Sequence, residues 1–162
     1  MSGGGQNDGE APLPRAVLFA CTHNIVRSPM AAGLMQLRFG PMVRVASAGV
    51  RAGEAIDPLG AEVMDEIGAD LAKHRPRSLD AVRAAVGEGD EEPFALIVSL
   101  SPEAHHSALN LVPAVAADAE YWPTFDPSVS EGSRDQRLME YRLVRDGLAR
   151  RIESRFPRPA TG

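Results

Sequence analysis

Residues 16–20 read AVLFA, a continuous apolar run too short for a helix, which predicts a strand buried on both faces. Ser28-Pro29 follows as an N-cap with proline at the first helical position, and MAAGLMQLRF continues with good helix formers until Gly40 stops it. The same order recurs down the chain. MVRVAS (42–47) reads as a second strand, and Asp57-Pro58 opens a helix that puts Ala61, Met64 and Ile67 on one face before Gly68. FALIVSL (94–100) is another wholly apolar strand, followed by Ser101-Pro102-Glu103 as a third start of the cap-then-proline kind. AVAADAEYW (114–122) is a weaker fourth strand. The last helix begins at Ser133, where Gln136 completes a capping box, and it aligns Leu138, Tyr141, Val144, Leu148 and Ile152 on one stripe. Its arginine-rich face is expected to meet water.

Alternating buried strands and amphipathic helices imply an α/β fold with right-handed crossovers and helices on both faces of the sheet. The expected architecture is a three-layer α/β/α domain around a four-stranded parallel sheet, flavodoxin-like. Its 162 residues suffice for one substantial core and not for two. The domain is expected over 14–157, between a flexible tail at 1–13 rich in Gly, Asn, Asp and Pro and a short C-terminal tail at 158–162. The acidic stretch from Gly87 to Glu92 reads as a solvated connection. Ligands in such sheets bind outside the carboxyl ends of the strands. The stretch CTHNIVRS, Cys21 to Ser28, leaves the first strand at that end.

A net charge of -5 provides no global field for nucleic acid or anionic lipid, so any anion site must be local and neither partner is expected. The first residues carry no basic, then apolar leader, and no later run approaches membrane-spanning length, which predicts a cytoplasmic protein. One cysteine and four histidines scattered along the chain offer no metal template, and no cofactor is expected. A single cysteine cannot form an intramolecular disulfide, which leaves Cys21 either a buried core thiol or a reactive one.

The local order of strand, short loop and helix favours the reactive thiol. Such a loop turns several backbone N–H groups inward, and the helix dipole adds about half a positive charge at the same place. A cysteine at the first position of this anion cradle has its thiolate stabilised and becomes a nucleophile at neutral pH. Arg27, six residues on, can set its planar fork on two oxygens of a tetrahedral anion, and Ser28 can donate a hydroxyl to the thiolate.

The stretch CTHNIVRSPMA resembles the active-site loop of the low-molecular-weight protein tyrosine phosphatase family: Cys, five residues, Arg, Ser, with asparagine three after the cysteine. The resemblance extends to Ser47-Ala48-Gly49, to His74-Arg75 with Ser78-Leu79, and to Asp126-Pro127, and so covers nearly all of 15–156. It implies that Cys21 attacks phosphorus to form a phosphocysteine. Arg27 and the loop, Thr22, His23, Asn24, Ile25, Val26 and Ser28, would bind the phosphate. Asp126 would protonate the leaving oxygen and then activate water, while Asn24, Ser47 and His74 would brace the loop. The implied activity is metal-independent hydrolysis of phosphomonoesters, protein phosphotyrosine or small aryl phosphates among them.

Three positions depart from the family. His23 stands where glycine is common, so the backbone there must avoid positive φ or carry strain. Val26 stands where many relatives have a second cysteine, so an oxidised Cys21 depends on an external thiol. Ser128-Val129 and Val50-Arg51-Ala52 occupy places where relatives acting on phosphotyrosine carry aromatics that grip a phenol ring. Two alternatives accompany the phosphatase: a single-cysteine arsenate reductase using an external thiol, and a phosphate-binding module with weak turnover.

Overall fold

Strand β1, Ala16–Cys21, is buried along its whole length because it lies inside a four-stranded parallel sheet, between β2 (Arg44–Gly49) on one side and β3 (Leu96–Ser99), then β4 (Asp118–Tyr121), on the other. The computed structural model describes residues 13–115 and 117–158; of the tails expected at 1–13 and 158–162, all but Leu13 and Arg158 lie outside the described residues. The helices are α1 (Arg27–Phe39), α2 (Pro58–Asp65), α3 (Leu79–Gly87), α4 (Pro102–Val115) and α5 (Arg134–Arg155). Short 3-10 turns cover Gly40–Met42 and Pro127–Val129.

The period of two in β1 divides the core. Val17, Phe19 and Cys21 face a cluster built with α1 and α5, while Ala16, Leu18 and Ala20 face one built with α3 and α4. This is the expected three-layer α/β/α arrangement. Phe19 and Leu18 are fully buried, each worth about 1.5–3 kcal/mol of apolar transfer. The α5 stripe holds as read: Leu138, Tyr141, Val144, Leu148 and Ile152 are buried. Trp122 is core too, edge-on to Phe19 at a centroid distance of 6.0 Å.

Cap chemistry decides several helix starts. Asp57 accepts from the N–H groups of Leu59 and Gly60 at the head of α2, and the Ser133–Gln136 capping box is formed. Ser28 differs from expectation: α1 begins at Arg27, Val26 is its N-cap, and no side chain caps it. The Ser28 hydroxyl is committed elsewhere, as described below. Helix α2 ends at Asp65, which leaves Ile67 39% exposed rather than on a buried face. The stretch 114–122 is not one strand, since α4 runs through Val115 and β4 starts at Asp118. Helix α3 was not anticipated, although Ser78 caps it through the Ala81 N–H and Leu79 and Val82 form its buried face. The acidic connection after it is more than solvated: Glu91 takes both arms of Arg77 at 2.9 Å.

Candidate active site

Cys21 ends the central strand at its carboxyl edge, where the chain order of the sheet reverses direction between β2 and β3. Its thiol is 2% exposed. The loop that follows is stitched from outside. The Val50, Arg51, Gly53 and Asp57 N–H groups donate to the carbonyls of Cys21, Thr22, His23 and Ile25 at 2.9–3.1 Å. The Asn24 carbonyl accepts from His74 Nε2–H at 2.8 Å. With the carbonyls claimed by the surrounding layer, the backbone N–H groups of Thr22 to Arg27 find no acceptor among the described residues. Backbone donors are seldom left unpaired away from water, so this loop has donors free to offer to an anion.

Asn24 organises that loop. It is fully buried and adopts φ 61°, the left-handed region that asparagine tolerates better than most side chains. Its Nδ2 donates to Ser28 Oγ at 2.8 Å and to Ser47 Oγ at 2.9 Å, and its Oδ1 accepts from the Arg77 N–H at 3.0 Å. The turn in the backbone therefore falls on Asn24 and not on His23, which is exposed. Gly49 packs against this corner, and a Cβ there would lie 2.8 Å from Asn24 N and 2.9 Å from His23 C. No side chain fits.

The sulfur has two donors from one residue. Ser28 Oγ lies 2.9 Å from Cys21 Sγ, and the Ser28 N–H points at the same atom over 3.4 Å. Thr22 Oγ1 donates to Ser101 Oγ at 3.0 Å, which ties the loop to the head of α4. Arg27 is 9% exposed, with Nη1 on the Thr124 carbonyl at 3.0 Å and Nη2 3.8 Å from Asp126 Oδ2. Asp126 is fixed through its other oxygen, Oδ1, which accepts from Ser128 N–H at 3.0 Å and Ser128 O–H at 2.7 Å.

The sequence candidates thus come together in one place: Cys21, Arg27, Ser28 and Asp126 at its centre, with Asn24, Ser47 and His74 behind. Burial lowers the His74 pKa from its ordinary value, against the opposing pull of the bond to Asn24. Val26 and Ile25 contribute backbone; Val26 is buried, and Ile25 packs on the core. Asp57 has a wider role than a cap, because its Oδ2 accepts from the Tyr141 hydroxyl at 2.8 Å while its N–H holds Ile25. Sequence reasoning missed Arg77, Ser101 and Thr124. Only the cap-then-proline signal at Ser101 hinted at any of them. It also passed over Phe125, an aromatic 54% exposed immediately before Asp126.

The model of the family described as low molecular weight phosphotyrosine protein phosphatase matches residues 16–153. An arsenate reductase of Halalkalibacterium halodurans is 30% identical over 142 residues, 86% of this chain and 94% of that protein. The arginine phosphatase of Geobacillus stearothermophilus has a similar structure, with a TM-score of 0.68 at 25% identity over 87% of this chain and 90% of its own. A low molecular weight protein tyrosine phosphatase from T. tengcongensis gives 0.67 at 26% identity, over 86% and 95%. Among the described residues no helix is long and apolar enough to cross a membrane.

Proposed function

The chain belongs to the low molecular weight phosphotyrosine protein phosphatase family, and we propose that within it the protein hydrolyses phosphomonoesters through a phosphocysteine on Cys21. One observation carries the reading: a thiol with two donors from Ser28 opens a loop whose N–H groups from Thr22 to Arg27 find no acceptor among the described residues and which ends in the guanidinium of Arg27. Cys21 Sγ attacks phosphorus from the strand side. Arg27 and the loop amides hold the three equatorial oxygens, where charge accumulates in the transition state.

Asp126 is the general acid. Its Oδ1 already accepts two hydrogen bonds from Ser128, so the proton for the leaving oxygen rides on Oδ2, the atom nearer Arg27. In the second half the same oxygen, now a carboxylate, takes a proton from water attacking the phosphocysteine. The Ser28 hydroxyl stabilises the departing thiolate. The charge stabilisation comes from protein donors throughout, so the reading requires no metal. Phosphotyrosine and small aryl phosphates are the proposed substrates, with the exposed Phe125 ring beside the acid available to a phenyl group.

The test is hydrolysis of p-nitrophenyl phosphate in excess chelator. Activity is expected in the unmodified protein and absent in Cys21→Ser; activity persisting in a clean Cys21→Ser preparation overturns the reading. An Asp126→Ala variant that leaves rate and pH profile unchanged favours a phosphate-binding module or another acid.

A second reading is favoured by the arsenate reductase relatives, of which the Halalkalibacterium halodurans protein is 30% identical. Cys21 is the chain's only cysteine, so one external thiol must attack the sulfur of the arseno-cysteine, breaking the S–As bond to release arsenite and leaving a mixed disulfide on Cys21. A second external thiol must reduce that disulfide, the two thiols together supplying the two electrons. Arsenate-dependent thiol consumption at the background rate removes this alternative.

A further inference from the structure

The residues that hold Asn24 also line a second cavity, of about 360 Å³, that includes none of Cys21, Arg27 and Asp126. Ser47, Lys73, His74, Arg75 and Arg77 stand around it, and small residues of α1 and β2 form its floor. Its charge is unbalanced. Arg77 is committed to Glu91 through two bonds of 2.9 Å, but Lys73 and Arg75 have no carboxylate partner among the described residues. The lining's one acid, Asp70, accepts from its own Ala72 N–H at 2.8 Å. Lys73 and Arg75 are exposed, and with Asp70 the only acid of the lining they make the rim of the concavity cationic in a chain of net charge -5.

We infer that this cavity is a second anion site, for a small polyphosphate or phosphate ester, and that its occupant acts on the Cys21 loop through His74 and Ser47. Its volume lies in the range of small-molecule pockets, roughly 300–1,000 Å³, and exceeds what a single oxyanion fills. Arg75 supplies a fork for paired phosphate oxygens, and Lys73 a mobile point charge. The Asn24 carbonyl, Nδ2 and Oδ1 are all bonded to residues of this wall, namely His74, Ser47 and Arg77. A ligand that shifts any of them shifts the loop residue on which the anion cradle turns. Linkage makes the effect mutual, so an oxyanion at Cys21 alters affinity at the second cavity by the same factor. The coupling rests on the phosphatase reading; the binding does not.

Inorganic pyrophosphate is the probe. In full-length Arg27→Ala protein, which weakens the catalytic cradle, calorimetry should show saturable binding. Lys73→Glu with Arg75→Glu should weaken it at least tenfold. The double variant Arg83→Glu with Arg150→Glu changes net charge equally at exposed positions outside the cavity, and should leave binding within twofold. No saturable binding, or equal loss in both double variants, overturns the site. In protein with Arg27 intact, pyrophosphate should change kcat for aryl phosphate hydrolysis, and Lys73→Glu with Arg75→Glu should abolish that change while sparing the basal rate. Purely competitive inhibition, identical in the two proteins, overturns the coupling. Calorimetry as expected in a protein that hydrolyses nothing would leave the site standing and the phosphatase reading refuted.

Discussion

The Ser28 hydroxyl sits 2.9 Å from the Cys21 sulfur and has its single proton available for it. Ser28 Oγ accepts from Asn24 Nδ2 at 2.8 Å, and its one competing acceptor among the described residues, the Ala48 carbonyl, is distant at 3.5 Å. A thiolate at Cys21 therefore meets an aligned O–H as well as the Ser28 N–H.

Ser28→Ala should act most on the step in which the thiolate leaves. Removing one preorganised donor costs about 100- to 1,000-fold in kcat in a comparable oxyanion site, and a loss of at least tenfold is expected here. Rapid-quench measurements on p-nitrophenyl phosphate should then show a burst of phenolate followed by slow turnover as phosphocysteine accumulates. Steady-state turnover at the unmodified rate without a burst would contradict this role.

Asn24 can be dissected by two substitutions. Asn24→Gly keeps the φ of 61° at no steric cost but deletes the side-chain bonds to Ser28, Ser47 and Arg77, so phosphate affinity should fall. Asn24→Ala deletes the same bonds and adds a left-handed penalty of roughly 1–2 kcal/mol. Urea unfolding should rank the alanine variant below the glycine variant. Equal midpoints would mean that the loop relaxes out of this conformation.

Gly49 and Gly53 offer a paired test of close approach. A Cβ at Gly49 meets only backbone, at 2.8–2.9 Å, so Gly49→Ala must displace the loop that follows Cys21. A misplacement near 1 Å costs on the order of a hundredfold in rate. A Cβ at Gly53 meets chiefly Ile25 Cγ2, at 2.7 Å, which a rotamer change can clear. The kcat/KM of Gly49→Ala should fall far below that of Gly53→Ala, and the reverse order would argue against the stitched loop.

His74 makes stability depend on pH in a definite direction. Its folded pKa is lowered by burial from an ordinary value of 6.5, so the unfolded chain binds the proton first as pH falls. The stabilisation from keeping the ring neutral is complete well above 6.5 and declines as pH drops through 6.5 towards the folded value. Urea midpoints should decrease from pH 7.5 to pH 5.5, and His74→Asn should show a shallower decrease. A steeper decrease in the variant would assign the effect to other groups.

Order along the chain was legible wherever the controlling interaction is local. The apolar run AVLFA, the Asp57 cap and the Ser133–Gln136 box each act within about one helical turn, so the pattern of residues sufficed to place a strand or a helix start. The five residues between Cys21 and Arg27 likewise pointed to an anion loop at a strand end. The tertiary structure decided how that loop is held. Ser28, which reads as a helix cap, is instead 2.9 Å from the sulfur, because Asn24 and the first turn of α1 aim its hydroxyl there. The turn passes to Asn24 rather than His23 because Gly49, His74 and Arg77 converge on that residue from other parts of the chain. The carbonyl that steadies Arg27 belongs to Thr124, and the carboxylates that engage Arg77 and Tyr141 belong to Glu91 and Asp57. Residues so far apart in sequence carry no shared periodicity. Their pairing is fixed only when the parallel sheet brings the ends of β1, β2 and β3 to one edge, where buried donors and acceptors must find each other.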